Sequence, residues 1–272
     1  MHVEGIILNK TPYKERDLIC HLLLRTGKKM TIYFYGGRGG GKSHKGSILE
    51  VGFMLAIELG RKKKSIESDM FTAKEYRLLW RSDQIRQNYQ AFYLESFFLE
   101  YVNKIAIDEY DDDDHQTDEH AGLFNVLSNA LFYLDESLSK NNFESKNHLF
   151  IFLAKLSAQL GIVPAVDHCI FCDHLLSETE LCLFDPHNGG FSCVECASQR
   201  NEFLSENHQL RQDYQNSQRL RSKMKQVFIR PYKEYGELQG IENGQNIAEF
   251  NFINYQFGFR PDNFRSWKLL IS

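Results

Sequence analysis

Hydrophobic and polar positions change their rhythm once along this chain, near Trp80. Before it, short β-prone runs at Val3 to Leu8, Leu18 to Leu24, Lys29 to Tyr35, Ile48 to Leu59 and Ser65 to Phe71 are separated by Gly, Pro, Asn or charged turn residues. Such runs read as strands. Five of them in about eighty residues suit a small closed barrel of the oligonucleotide-binding type. After Trp80 the period lengthens to that of a helix. Tyr89, Phe92, Tyr93, Ser96, Phe97 and Glu100 share one helical face, and Gly122 to Leu138 and Asn147 to Leu160 form two further helices, the last stopped by Gly161 and Pro164. The aromatic stripe on the first of these helices is most simply core. The fold class expected is therefore α+β: a five-stranded barrel over residues 1–80, then a helical domain over 81–272.

Four cysteines interrupt the helical part. Cys169 and Cys172 form one Cys-x-x-Cys, Cys193 and Cys196 a second, with twenty residues between them. That spacing lies at the upper edge of the zinc-ribbon window. Two knuckles supply four thiolates to one tetrahedral Zn²⁺, leaving no open position for a catalytic water, so the site is structural, one ion per chain. Leu181 to Phe184 followed by Asp185-Pro186-His187-Asn188-Gly189-Gly190 predicts a hairpin that brings the knuckles together. A zinc-ribbon-like module over residues 165–200 is thus inserted in the helical domain. Cys182 is the rival ligand, and His168, His174 or His187 could replace a thiolate. Two disulfides are the alternative for the cluster. The opening MHVEGIILNK lacks a basic segment followed by an apolar one, which argues for a reducing cytoplasm.

Hydrophobic residues make up 42% of the 272 positions, enough for a core, and no apolar stretch reaches the ~18 residues of a membrane helix. The net charge of −4 argues against a polyanionic partner, but its distribution does not. Residues 1–80 carry fifteen Lys plus Arg against eight Asp plus Glu, so the rest of the chain is strongly acidic. Such asymmetry marks the basic part as a nucleic-acid surface.

Gly36-Gly37-Arg38-Gly39-Gly40-Gly41-Lys42-Ser43 satisfies the phosphate-loop pattern to the letter. That loop works by placing phosphates at the N-terminus of the helix that follows it. Here His44-Lys45-Gly46-Ser47 and a strand-like run follow instead, so an ATPase is the alternative reading. The favoured one is a glycine-rich hairpin tip whose Arg38, Lys42 and Lys45 neutralise phosphates. Tyr33 and Tyr35 offer stacking faces, or else barrel packing. Arg61-Lys62-Lys63-Lys64 is a second basic turn, either a DNA contact or simply solvated, and Arg16, Lys28 and Lys29 complete the candidate DNA-binding set. Asp111 to Asp114 reads as a solvated loop, with His115 and His120 near it; Cys20 is core rather than nucleophile. No catalytic constellation is visible.

Several segments together resemble the RecO family of bacterial recombination and repair mediators. These are Glu4-Gly5-Ile6-Ile7-Leu8, Tyr13-Lys14-Glu15-Arg16-Asp17 and Thr26-Gly27-Lys28; the Gly36 to Ser43 loop; Gln159 to Pro164 leading into the cysteine module; and Phe252 to Phe257 with Phe264 to Leu270 near the end. The resemblance implies a non-enzymatic protein that binds single- and double-stranded DNA and anneals complementary strands. It also implies partners: RecR, the acidic C-terminal tail of single-stranded DNA-binding protein held in a hydrophobic pocket edged by Lys or Arg, and through them RecA, which is loaded onto DNA. The implied location is the bacterial cytoplasm, at the nucleoid. A third reading is a zinc-stabilised interaction scaffold that never meets DNA.

Overall fold

The structure is a computed structural model describing residues 1–39, 45–60, 70–109, 121–200 and 207–271. Five strands close a barrel: β1 (His2–Tyr13), β2 (Asp17–Leu24), β3 (Lys29–Phe34), β4 (Met54–Leu59) and β5 (Phe71–Trp80). Their order around the barrel is β1-β2-β3-β5-β4, antiparallel except where β3 meets β5 in parallel through Ile32 with Phe71 and Tyr33 with Thr72. Alternate positions point inward, as strand geometry requires. Leu18, Cys20, Leu22 and Leu24 of β2, Met30, Ile32 and Phe34 of β3, and Leu55, Ile57 and Leu59 of β4 form one buried cluster.

Three strands differ from the sequence-based expectation, the first being β1, which runs to Tyr13 rather than ending at Leu8. β4 starts at Met54 rather than Ile48, because residues 45–48 make a 3-10 turn and Gly52 takes a left-handed φ of 85°. β5 spans 71–80 rather than 65–71, and residues 65–69 lie outside the described set. Its inward side chains are Phe71 and Ala73, then Tyr76 and Leu78. Pairing slips between Glu58 and Leu59 of the neighbouring strand, so one residue of β5 is extra and the period of two is broken at Lys74-Glu75. Those charged residues disguised the strand.

The barrel ends at Trp80, but the compact unit containing it runs through residues 1–143 and takes back 264–270. It includes α1 (Tyr89–Ile105) and α2 (Ala121–Ser139). The Asn88 side chain caps α1 by accepting hydrogen bonds from the N–H groups of Gln90 and Ala91. The buried face of α1 carries Ala91, Leu94, Glu95, Phe98 and Val102, with Phe97 and Tyr101 beside them. The expected stripe is therefore corrected: Tyr89 and Phe92 are 69% and 44% exposed, and Phe97 is the member of that stripe that is buried. Glu100 has a separate task, since its carboxylate accepts the N–H groups of Arg265 and Ser266 at 3.0 Å each. Phe264 stacks on Tyr101 at 4.6 Å, and Phe97 meets both Phe264 and Trp267, so the closing segment is held by one carboxylate and two rings of α1.

Glu95 is nearly dry. Its carboxylate accepts the Ser82 hydroxyl at 2.9 Å, and a Cβ added to Gly52 would lie 2.3 Å from its Oε1. Burial raises its pKa to about 7, only partly opposed by Ser82 and Arg86. The folded chain thus holds this proton more tightly than the unfolded one, and stability falls as pH rises from the ordinary glutamate range through pH 7. A rise of that size corresponds to about 3 kcal/mol at most. Glu95→Gln should remove most of that slope and stabilise the protein by about 2 kcal/mol at pH 8, as read from urea midpoints across pH 5–8. An unchanged slope would exclude Glu95 as its source.

The second unit spans 144–263. It holds α3 (Ser145–Gln159), a small sheet of β6 (Ala165–Cys169), β7 (Cys182–Asp185) and β8 (Gly190–Cys193), then α4 (Val194–Arg200), α5 (Asn207–Ile229) and α6 (Asn243–Phe257). The sheet order is β6-β8-β7, and β7 and β8 form the expected hairpin. No helix among the described residues is long and apolar enough to cross a membrane.

Candidate metal centre and nucleic-acid interface

The hairpin brings the two Cys-x-x-Cys knuckles together. The sulfurs of Cys169, Cys172, Cys193 and Cys196 all lie within 4.8 Å of one another, and none is in a disulfide. A tetrahedron with metal–sulfur bonds of ~2.3 Å has edges of ~3.8 Å, and Cys172 Sγ stands 3.8 Å from Cys193 Sγ. Backbone N–H groups already face the sulfurs: Cys193 donates to Cys169 Sγ at 3.3 Å and Cys196 to Cys193 Sγ at 3.5 Å. Burial of Cys169 disfavours its thiolate, but hydrogen bonds from the backbone of Cys193, Phe171 and Cys172 outweigh this and bring it down to about 6. Cys196 is pushed up to about 12 by its sulfur contacts with Cys172 and Cys193. Four thiolates this close therefore need a cation to share, and these four residues can hold a metal ion.

The rival ligands fall elsewhere. Cys182 sits opposite Cys193 in the ladder but is outside the sulfur group, fully buried, its thiol raised to about 11 by that burial. His174 faces Glu180 at 3.3 Å, and His187 meets the Tyr255 ring edge-on at 4.4 Å. His168 does not join the group either. The module is fastened along α5, where buried Arg221 donates to the carbonyls of Leu176 and Ser177 and Lys225 pairs with Asp167 at 2.6 Å. Gly190 is required by space, since a Cβ there would come within 2.8 Å of the Ala165 carbonyl oxygen.

On the barrel, a three-residue turn, Lys14 to Arg16, joins β1 to β2 and adopts a left-handed φ of 51° at Lys14. The glycine-rich segment leaving β3 lies against it. Arg38 donates its backbone N–H to the Arg16 carbonyl at 2.8 Å, and Gly36, at a φ of 64°, donates to Asp17 Oδ1 at 2.8 Å. Two exposed arginines are thereby held as neighbours. Tyr13, Tyr33 and Tyr35 form an edge-to-face run at 5.6 and 4.5 Å, and the Lys14 ammonium lies over the Tyr13 ring. Several other barrel cations are paired with acids: Lys10 with Glu50, Arg25 with Glu4 and Lys74 with Glu58. Among the described residues, no ion pair engages Lys14, Arg16 or Arg38.

The remaining expected contacts divide. Tyr35 is 52% exposed, whereas Tyr33 is fully buried with its hydroxyl donated to Asp17, which corrects the stacking reading in favour of packing. Lys28 is buried, and the Lys29 ammonium reaches the Asn103 carbonyl at 3.3 Å and Asp108 at 3.6 Å. Both serve the fold. Lys45 opens the 3-10 turn; Lys42, Ser43 and Arg61 to Lys64 lie outside the described residues, as do Asp111 to His120. Residues 45–59 give that turn and then β4, not the helix that a phosphate loop requires. Sequence reasoning did not single out Tyr13 and Lys14, which stand beside these candidates; their position in a hairpin turn beside an aromatic strand was the available signal.

Two recesses mark the second unit. One of about 320 Å³ is lined by Phe184, Leu220, Ala248, Asn216, Asn251 and Glu242 among others. The other has Lys155 and Arg230 in its wall but only about 20 Å³, room for roughly one water.

Comparison with known proteins adds the context. The family described as "Recombination protein O C terminal" matches residues 114–212. A protein named DNA repair protein RecO from Bacillus cytotoxicus is 25% identical over 72% of this chain and 71% of its own length. One of the same name from Anaeromyxobacter is 24% identical over 72% and 70%, and one from Syntrophus aciditrophicus 24% over 71% and 68%.

Proposed function

We propose that the chain is a member of the RecO family of DNA repair proteins, to which it is similar over most of its length, and that it is a non-enzymatic mediator that binds single- and double-stranded DNA, anneals complementary strands and helps load RecA onto DNA coated with single-stranded DNA-binding protein. The observation that carries this reading is the pairing of Arg16 with Arg38 beside Tyr13 and Tyr35 on a closed five-stranded barrel. Barrels of the oligonucleotide-binding type use the face of strands 2 and 3 with the β1–β2 and β4–β5 connections. Here Lys14 and Arg16 occupy the first connection, and Arg61 to Lys64 fall between β4 and β5 in sequence.

Annealing follows from such a surface. Cations that contact phosphates without reading bases lower the repulsion between two strands, and base pairing then supplies the specificity. The four cysteines would hold one Zn²⁺, which suits an all-thiolate tetrahedron with no vacant position. The zinc would supply folding stability to its module, and RecR and the acidic tail of single-stranded DNA-binding protein are the protein partners of this reading.

Purified protein should bind oligothymidylate tightly at low salt and anneal complementary oligonucleotides without ATP, both activities falling steeply as salt is raised. Annealing that depends on ATP would favour a nucleotide-hydrolysing reading, and no DNA binding at any salt would leave only the scaffold.

A further inference from the structure

We propose that Asp17 is the positioning residue of the barrel's nucleic-acid interface, an inference that rests on the reading just given and names the group that makes the surface competent. Asp17 closes the turn between β1 and β2, where it faces Tyr13 across the ladder. Each of its carboxylate oxygens has one task. Oδ1 accepts the Gly36 N–H at 2.8 Å, and Oδ2 accepts the Tyr33 hydroxyl. Both partners favour the ionised form, and hydrogen bonding to Tyr33 first, then to Gly36, holds its pKa below the usual carboxylate range.

The first bond ties the exit of β3 to the β1–β2 turn, and the Arg38 N–H to the Arg16 carbonyl is the second tie between the same two segments. Two exposed arginines are thus set at neighbouring backbone positions. The second bond fixes the outer end of the Tyr33 ring, against which Tyr13 and Tyr35 are set edge-on. A single carboxylate therefore sets both the cationic and the aromatic halves of the surface before any strand arrives, and ordering completed in advance does not subtract from binding.

Charge alone predicts the opposite role. A carboxylate beside a phosphate-binding surface repels the ligand, so on electrostatics Asp17→Asn should strengthen binding. Positioning predicts a loss. The test is fluorescence-anisotropy titration of the full chain with an oligothymidylate of about twenty nucleotides, well below the melting temperature and across a range of salt.

Asp17→Asn should weaken binding about tenfold and flatten the plot of log K against log salt by about 0.7 for each phosphate that the surface ceases to engage. Tyr33→Phe, which keeps the ring and deletes one partner of the carboxylate, should weaken binding in the same direction, and the double variant should add little to Asp17→Asn alone. A stabilising role without positioning would lower the melting temperature and leave the salt slope of the folded protein unchanged, overturning the proposal. Equal or tighter binding by Asp17→Asn overturns it as well, while leaving the DNA-binding reading intact. A wild-type chain that binds no oligonucleotide overturns both.

Discussion

Cys193→Ser is expected to cost the protein its metal and the order of residues 165–200 together. Cys193 ends β8, is buried, and is a member of the four-sulfur group while its own N–H faces Cys169 Sγ. A serine hydroxyl is a poor soft-metal ligand and leaves three thiolates around a centre that needs four. Structural zinc supplies folding free energy of order 10 kcal/mol or more. A three-stranded sheet of five-, four- and four-residue strands is too small to be stable alone, and besides the metal it has its fastening along α5 through Arg221 and Lys225. Elemental analysis should find about one zinc in the wild-type chain and almost none in the variant, and hydrogen exchange should lose its protection over 165–200 while β1 to β5 keep theirs. Cys182→Ser is the control, since that thiol lies outside the group, and it should retain the metal. A Cys193→Ser chain with full zinc and unchanged protection would show that the four sulfurs do not act as one site.

Reversing two charges should have a comparably large effect on DNA. Arg16 and Arg38 are exposed, held together by a backbone hydrogen bond, and engaged by no ion pair among the described residues. Each phosphate neutralised on a single strand contributes about 0.7 to the slope of log K against log salt. Removing two such interactions at about 20 mM salt amounts to a little over two decades of affinity, and two new carboxylates add repulsion. Arg16→Glu with Arg38→Glu should therefore weaken single-strand binding roughly a thousandfold at that salt. Annealing should fail with it. The zinc content should not change, because neither residue belongs to the metal module.

The features legible in the sequence were those fixed by local covalent pattern. Paired knuckles and a turn-rich hairpin identified the four cysteines that come together and could hold a metal ion, because thiolate spacing is itself the geometry of such a group. Period-two alternation located β2 and β3 for the same reason, each inward residue being also the core residue. What could not be read depended on partners distant in sequence. β5 was hidden by its extra residue at Lys74-Glu75, a distortion defined only by its pairing with β4. The α1 stripe was misplaced because the Leu94, Phe98 and Val102 face is also apolar, and nothing local says which of two apolar faces meets the barrel. α5 was not separated from its surroundings because Tyr214, Leu220, Met224 and Val227 are sparse among charged residues, and it buries an arginine, Arg221, against the metal module. Tyr33 illustrates the same limit. Strand alternation allowed it to stack bases or to pack, and the hydrogen bond to Asp17, sixteen residues away, settled it as packing.

If the positive end of the barrel receives strands although the whole molecule is an anion, the salt dependence of binding must report it. The most direct measurement is that of oligothymidylate binding, compared between the wild-type chain and the Arg16→Glu, Arg38→Glu variant. A steep wild-type slope is predicted, reduced by about 1.4 in the variant, the share of two phosphates. Parallel lines of equal slope would contradict this, because DNA would then be bound by some other surface.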